Sequence, residues 1–200
     1  MKSTILRSGV VLACALGLAA CGGGGDLYLQ GPVYNVTEAG LVLQNNGGSD
    51  LAVGIRAATG QYDYFQFPNA ISTDDNFNIT VKSVPANIEK CVVNNPSGHA
   101  NYYTTQQISV QCTLKTHALN VQVKGLTSDG LVIVNGTDKQ TVAANQTSVT
   151  MTRVNQDAPY GVTVLTQPKT QTCTVSGGAN GNGTGTVGAD DVTSVVVTCS

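Results

Sequence analysis

The chain contains no tryptophan, and only 11% of its 200 residues are charged. Low charge disfavours long exposed helices, which are stabilised by oppositely charged side chains three or four residues apart. Without Lys2 and Arg7, which lie in the N-terminal segment described below, eight basic and twelve acidic side chains remain. That balance argues against a nucleic-acid partner, because phosphate binding needs clustered Lys and Arg. The abundant Thr, Val, Asn and Gly instead favour short strands separated by turns.

The N-terminal segment has a charged start, an apolar run from Val10 to Leu18, and two alanines before Cys21. The run from Val10 to Leu18 has nine residues, whereas a membrane-spanning helix needs roughly 20. The segment resembles a bacterial lipoprotein signal, which implies removal of residues 1–20 and a lipid on the thiol of Cys21. The alternative is an ordinary secretory leader that leaves Cys21 as a free thiol.

Four glycines follow the cysteine, so residues 21–32 are expected to form a flexible tether. In the lipoproteins that this segment resembles, an aspartate directly after the cysteine favours retention at the inner membrane. Gly22 occupies that position here, and the first acidic residue is Asp26. The resemblance therefore implies a lipid anchor in the outer membrane, with the protein on the periplasmic face or the cell surface.

The rest of the chain repeats itself once. Four pairs of segments carry the repeat: Gly40–Gly47 with Gly130–Gly136, Asn78–Val81 with Gly161–Val164, Pro85 and Cys91 with Pro168 and Cys173, and Val110–Cys112 with Val197–Cys199. The offset between the copies varies from 82 to 90 residues, as expected when loops differ in length and strands do not. The repeat predicts one module at 33–113 and another at 117–200.

Short alternating runs predict that both modules consist of strands. Leu119, Val121 and Val123 alternate with polar residues, as on a strand with one buried face. Phe65 and Phe67 should point to one face in the same way. About seven such runs per copy, separated by Gly, Asn, Asp and Pro, predict an all-β protein of two tandem antiparallel immunoglobulin-like β-sandwich modules.

The second copy also resembles cysteine-containing immunoglobulin-like repeats of Gram-negative surface proteins. The resemblance rests on Tyr160–Val164, Gln171–Val175, Gly185–Val187 and Asp191–Cys199. It covers roughly 40 residues well and implies a fold and an envelope setting, but no activity. The first copy departs from it at Glu89-Lys90 and at its loop Asn94–Gly98.

Four cysteines remain once Cys14 and Cys21 are assigned to the leader and the lipid site, and four cysteines allow three pairings. The duplication selects one bridge per copy, Cys91 with Cys112 and Cys173 with Cys199. Both bridges should persist in an oxidising compartment. A four-thiolate zinc site would need closely spaced cysteine pairs, which are lacking, so neither a metal nor another cofactor is predicted.

Residues that could carry catalysis are few. His99 and His117 lie in no recognisable nucleophile setting and are expected to be solvated loop histidines. Asp74-Asp75-Asn76 and Asp190-Asp191 lack the spacing of a calcium loop, which favours turn and solubility roles. Five Asn-x-Thr triplets begin at Asn35, Asn78, Asn135, Asn145 and Asn182 and are attributed to composition. No enzymatic activity is expected.

The aromatic residues are distributed unevenly, and most of them are tyrosines and phenylalanines of the first copy. Tyr62, Tyr64, Tyr102 and Tyr103 could form a platform for a sugar or a protein partner. Alternatively, Tyr62 and Tyr64 cover a sheet face while Tyr102 and Tyr103 fill a loop. The sequence thus predicts a lipid-anchored envelope protein with a binding or structural role, or alternatively a carbohydrate-binding surface module.

Overall fold

The protein is seen in a computed structural model that describes residues 26–54 and 63–200. The leader, Cys21, the four glycines and Tyr62 lie outside these residues. The described residues form sixteen strands and one single-turn 3-10 helix at Thr104–Gln106, without an α-helix. No helix within 26–54 or 63–200 has the length and apolarity needed to span a bilayer.

The first eight strands form two four-stranded sheets, in the orders β4-β1-β8-β6 and β3-β2-β5-β7. Their bounds are β1 Gln30–Tyr34, β2 Val42–Asn45, β3 Gly48–Ala52, β4 Asp63–Gln66, β5 Asn76–Ser83, β6 Ile88–Asn94, β7 Ser97–His99 and β8 Ser109–Leu114. β1 begins at Gln30, inside the segment that the sequence assigned to the tether.

The other eight strands repeat this arrangement in the orders β12-β9-β16-β14 and β11-β10-β13-β15. Their bounds are β9 Thr116–Lys124, β10 Leu131–Asn135, β11 Asp138–Val142, β12 Ser148–Asn155, β13 Pro159–Thr166, β14 Cys173–Gly177, β15 Thr184–Thr186 and β16 Val192–Cys199. The strand order is therefore the same in both copies, and the predicted all-β tandem sandwich is confirmed.

The structure differs from the prediction in two details of the strands. Each copy has eight strands among the described residues rather than seven, because β7 and β15 are only three residues long and contain glycine. Such short segments give no alternation that a sequence pattern could reveal. Each copy also contains one parallel pair, β1 with β8 and β9 with β16, so its sheets are mixed rather than purely antiparallel.

Each copy has its own core. Leu119, Val121 and Val123 are buried as the alternation predicted, and they belong to a cluster that is separate from that of the first copy. Phe65 and Phe67 are also buried side by side, with ring centroids 6.1 Å apart in an edge-to-face arrangement. Both cores are mainly aliphatic, but the first also contains three phenylalanines, whereas the aromatic residue of the second cluster is Tyr160.

Only Lys115 separates β8 from β9. Its N–H donates to the carbonyl of Asn87 (2.9 Å), and its carbonyl accepts from the N–H of Gln156 (2.9 Å). The buried side chain of Asn87 donates to Asp157 and to Thr37, both at 2.9 Å. Hydrogen bonds therefore connect the two copies at the joint.

Candidate functional site

The exposed aromatic residues of the first copy are the candidate binding groups that the structure describes best. Tyr102 and Tyr103 are 69% and 72% exposed, with ring centroids 5.6 Å apart in an edge-to-face contact. They do not fill the loop, so the part of the alternative that concerns these two residues is wrong. Tyr64 is 50% exposed on β4, on the face opposite the buried Phe65.

The tyrosine pair stands on an ordered turn. The side-chain oxygen of Asn101 accepts hydrogen bonds from the N–H groups of Tyr103 (2.9 Å) and Thr104 (3.0 Å). The hydroxyl of the buried Thr105 donates to the carbonyl of Asn101 (2.9 Å). These bonds fix the backbone that carries both rings, which lowers the entropy cost of using them in binding.

This turn is joined to the connection between β4 and β5. The N–H of Ala100 donates to the carbonyl of Asp75 (2.8 Å), and the N–H of Asp74 donates to the carbonyl of Ala100 (2.9 Å). Ala100 is fully buried, and Tyr102 follows it by two residues. The tyrosine pair and residues 67–76 therefore lie at the same end of the first copy.

A cleft of about 380 Å³ opens at this end, between the β2–β3 turn and the β4–β5 connection. Its apolar floor comprises Leu29, Phe67 and Ile71, which are buried or half-buried. Polar side chains surround that floor: Asn45, Asn46, Ser49, Asn69, Asp75 and Asn76. No sequence pattern predicted this cleft, and the one sequence feature connected with it is the asparagines in the segments that line it.

Some polar atoms of the cleft are used by the fold. The oxygen of Asn45 accepts from the N–H of Asn78 (3.1 Å), and the amide nitrogen of Asn46 donates to the carbonyl of Asn76 (3.0 Å). One carboxylate oxygen of Asp75 accepts from the N–H of Ser72 (3.0 Å). By contrast, the side-chain amide of Asn69 has no hydrogen-bond partner in the described part of the chain. It remains available to a ligand.

The outward face of the β4-β1-β8-β6 sheet continues from this end and is mostly uncharged. Gln66 lies opposite Gln30 in the β1–β4 pair, and Gln30 donates to the side chain of Gln106 (3.3 Å). Gln106 belongs to the 3-10 turn that follows Tyr103. Tyr64 lies on this face two residues from Gln66, and no ring contact among the described residues joins it to the Tyr102–Tyr103 pair.

The second copy has a cleft of about 420 Å³ at the equivalent place, between the β10–β11 turn and the β12–β13 connection. Its lining includes Asp138, Arg153 and Asn155. Both carboxylate oxygens of Asp138 are occupied, one by the N–H of Thr152 (2.6 Å) and one by Gln140 (2.8 Å). Desolvation acts to raise the pKa of Asp138, but these hydrogen bonds outweigh it and hold the pKa below its usual value.

The two histidines have different environments. His99 is exposed, as predicted, but it is the last residue of β7 rather than part of a loop, and its ring nitrogen lies 3.2 Å from the carbonyl of Asp74. The prediction for His117 is wrong, because it lies on β9 with a side chain only 14% exposed. Its Nδ1 is 3.9 Å from a carboxylate oxygen of Asp191, which also accepts from the N–H of Ala118 (2.7 Å). Both contacts attach the start of β9 to the loop before β16.

Asparagines of the Asn-x-Thr triplets have structural roles. Asn35 and Asn145 have φ values of +62° and +64°, a conformation that asparagine tolerates better than most residues. Asn35 also donates to the carbonyl of Cys112 (3.1 Å), and Asn182 accepts from the hydroxyl of Thr184 (2.7 Å). Turn formation thus explains these asparagines.

The cysteines form the two bridges that the duplication predicted, Cys91–Cys112 and Cys173–Cys199. In each bridge the cysteines are direct partners in an antiparallel pair, with Cα atoms 4.0 Å apart. Within residues 26–54 and 63–200, no group of three or more His, Cys, Asp and Glu side chains could hold a metal ion.

The protein is therefore an all-β chain of two tandem sandwich modules, each with one disulfide bond between paired strands. A scan against protein-family models finds no match. A search of the curated proteins likewise finds none.

Proposed function

We propose that the chain is a lipid-anchored protein of the bacterial cell envelope that binds a ligand through its first module. The observation that carries the binding role is the exposed Tyr102–Tyr103 pair on an ordered turn beside an open cleft. Large aromatic rings are costly to leave in water and are enriched at binding sites.

The anchor rests on the sequence around Cys21, preceded by Leu18-Ala19-Ala20 and followed by four glycines. Lipid attachment would hold the protein at a membrane, because each buried methylene contributes roughly 0.8 kcal/mol and stable anchoring takes more than one chain. The resemblance to lipoprotein signals favours the outer membrane, and the resemblance of the second module to surface-protein repeats favours an envelope role. We assign the protein no catalytic activity.

Metabolic labelling tests the anchor. Radiolabelled palmitate should be incorporated into the full-length protein in bacterial cells, and the Cys21→Ala variant should lose the label and leave the membrane fraction. A Cys14→Ala variant is the matched control and should keep both. Label that persists in Cys21→Ala would contradict the anchor. For the labelled wild-type protein, surface proteolysis of intact cells distinguishes the cell surface from the periplasmic face.

An alternative is that the ligand is a carbohydrate and that Tyr62, Tyr64, Tyr102 and Tyr103 form its platform. The exposure of the three tyrosines that the structure describes supports this proposal, because exposed rings can stack on sugar rings. Replacing all four tyrosines by alanine should abolish retention of the protein on an immobilised polysaccharide that binds the wild type. The unfolding free energy should change by only a few tenths of a kcal/mol per exposed ring. A collapse of thermal stability would show instead that the rings support the fold.

A further inference from the structure

We propose that the cleft of the first module binds a single neutral sugar residue. This inference rests on the proposed binding function and names a ligand class and a location for it. The location differs from the tyrosine platform, because neither Tyr102 nor Tyr103 lines the cleft.

The size of the cleft fits one ring. Small-molecule sites occupy about 300–1,000 Å³, and the volume of about 380 Å³ lies near the lower end of that range. A cleft of this volume has room for one pyranose ring.

The distribution of polar and apolar groups matches the two faces of a sugar. Leu29 and Phe67, 2% and 3% exposed, belong to the apolar floor of the cleft, and the C–H face of a pyranose can pack there without losing hydrogen bonds. The amide of Asn69 can both donate and accept, as a pair of neighbouring hydroxyl groups requires. The second carboxylate oxygen of Asp75 can accept from a hydroxyl, and such charge-assisted bonds are strong.

The charge of the lining favours a neutral ligand. Among the described residues that line it, Asp75 is the one charged side chain, and none is Lys, Arg or His. An anionic sugar would be placed beside a carboxylate without compensation, which opposes binding. A cation would find only one carboxylate, and one of its oxygens is already occupied by the N–H of Ser72. The lining contains four asparagines and one carboxylate, which suits a ligand with hydroxyl groups better than a ligand with an amine.

The nearby tyrosines would extend this site. The carbonyl of Asp75 accepts from the N–H of Ala100, two residues before Tyr102. A polysaccharide whose end residue occupies the cleft could therefore continue across the exposed rings. Stacking there would add affinity without changing which sugar the cleft accepts.

The duplicated fold provides an internal comparison. The equivalent cleft of the second module is lined by Arg153 and Asp138, and its described lining residues include no leucine, isoleucine or phenylalanine. Both oxygens of Asp138 are engaged by the fold. The two clefts therefore share a position but not a chemistry, and only the first has an apolar floor with free amide groups around it.

Saturation-transfer NMR on the full-length protein in detergent micelles tests the inference. The probes are the neutral methyl glycosides of glucose, galactose and N-acetylglucosamine, with glucuronic acid and glucosamine as charged comparisons. We expect a saturable signal for at least one neutral glycoside, with a dissociation constant on the order of 1 mM, as is usual for a ligand of so few atoms.

Ala70→Trp places a large side chain at an exposed position of the cleft lining and should weaken binding at least about tenfold. Asn69→Ala, which leaves the floor intact, should weaken it about threefold to tenfold through one lost hydrogen bond. Thr137→Trp, an exposed position of the equivalent cleft, is the matched control and should bind like the wild type.

Absence of a saturable signal from all three neutral glycosides would overturn the inference, as would binding that survives Ala70→Trp. Tighter binding of glucosamine would overturn it in favour of an amine site. These outcomes are separate from the polysaccharide test. If retention on a polysaccharide depends on the tyrosines but not on Ala70, the tyrosine platform is supported and the sugar site in the cleft is contradicted. If neutral glycosides bind but no such retention is seen, the cleft is supported and the platform is contradicted.

Discussion

The side-chain oxygen of Asn135 accepts a hydrogen bond from the N–H of Gly161 at 2.9 Å, connecting the β10–β11 turn to β13. The first module makes the same bond between Asn45 and Asn78, at 3.1 Å. The repeat aligns these residues, so the duplication has kept a side-chain contact as well as a strand order.

Loss of this contact should destabilise either module. Asn135→Ala leaves the N–H of Gly161 without its partner, and an unsatisfied donor costs about 1–3 kcal/mol where water cannot replace the acceptor. The unfolding free energy measured in urea should fall by about 1 kcal/mol or more. Asn135→Asp keeps an acceptor oxygen and serves as the control. Equal losses in the two variants would contradict the assigned hydrogen bond.

Gly125 tests whether the backbone after β9 requires a residue without a side chain. Its φ is +74°, and a Cβ built there would lie 2.4 Å from the carbonyl oxygen of Cys199. Gly125→Ala should therefore cost more than the roughly 1–2 kcal/mol of the left-handed conformation alone. Gly136→Ala has a similar φ of +58° and open space around it, so it isolates the conformational cost. Thermal melting should rank Gly125→Ala as clearly the less stable variant.

Each disulfide should contribute independently to stability. The bridges close loops with sequence separations of 21 and 26 residues, worth about 3 kcal/mol each in the chain-entropy model. Replacing Cys173 and Cys199 by serine should lower the unfolding free energy of the second module by about that amount. Replacing Cys91 and Cys112 should act on the first module. Non-reducing peptide mapping of the wild type should show no linkage between the modules.

Asp138 should make the second module sensitive to acid. Hydrogen bonds outweigh desolvation and hold its pKa below the usual value, so the carboxylate stabilises the folded state at neutral pH. That contribution is present above the unfolded pKa of about 3.9 and is lost as pH falls through the lower folded pKa. Urea midpoints measured from about pH 6 to pH 2.5 should fall more in the wild type than in Asp138→Asn. Parallel curves would contradict this assignment.

Asp50 is the control for that experiment. Lys82 and Gln44 hydrogen-bond to its carboxylate, and these contacts lower its pKa against the opposing effect of desolvation. The Asp50 side chain is 47% exposed, and exposed ion pairs contribute little to stability. Asp50→Asn should therefore leave the acid sensitivity of both modules nearly unchanged.

Sequence patterns predicted most of the fold and little of the site. Alternation identified the buried faces at Leu119–Val123 and Phe65–Phe67, because a strand repeats every two residues and hydrophobic burial enforces that period. The cysteine pairs followed from the repeat. The cleft could not be predicted in this way, because it forms where the turn at Asn45–Asn46 meets the connection at Asn69–Asn76. No local pattern fixes the distance between such segments.

His117 shows the same limit on a smaller scale. Its position near the joint suggested a loop, but β9 begins at Thr116, only two residues after β8 ends. A joint of one residue leaves no room for a solvated loop, and the side chain packs beside Asp191 instead. The length of a connection is decided by the two strands that it joins, which a sequence shows only approximately.

The single-residue joint has a mechanical consequence. Both peptide groups of Lys115 are tied down, one to Asn87 and the other to Gln156, so bending there would first have to rupture these links. Reorientation of one module against the other therefore carries the free-energy cost of two backbone hydrogen bonds, each worth about 0.5–1.5 kcal/mol net.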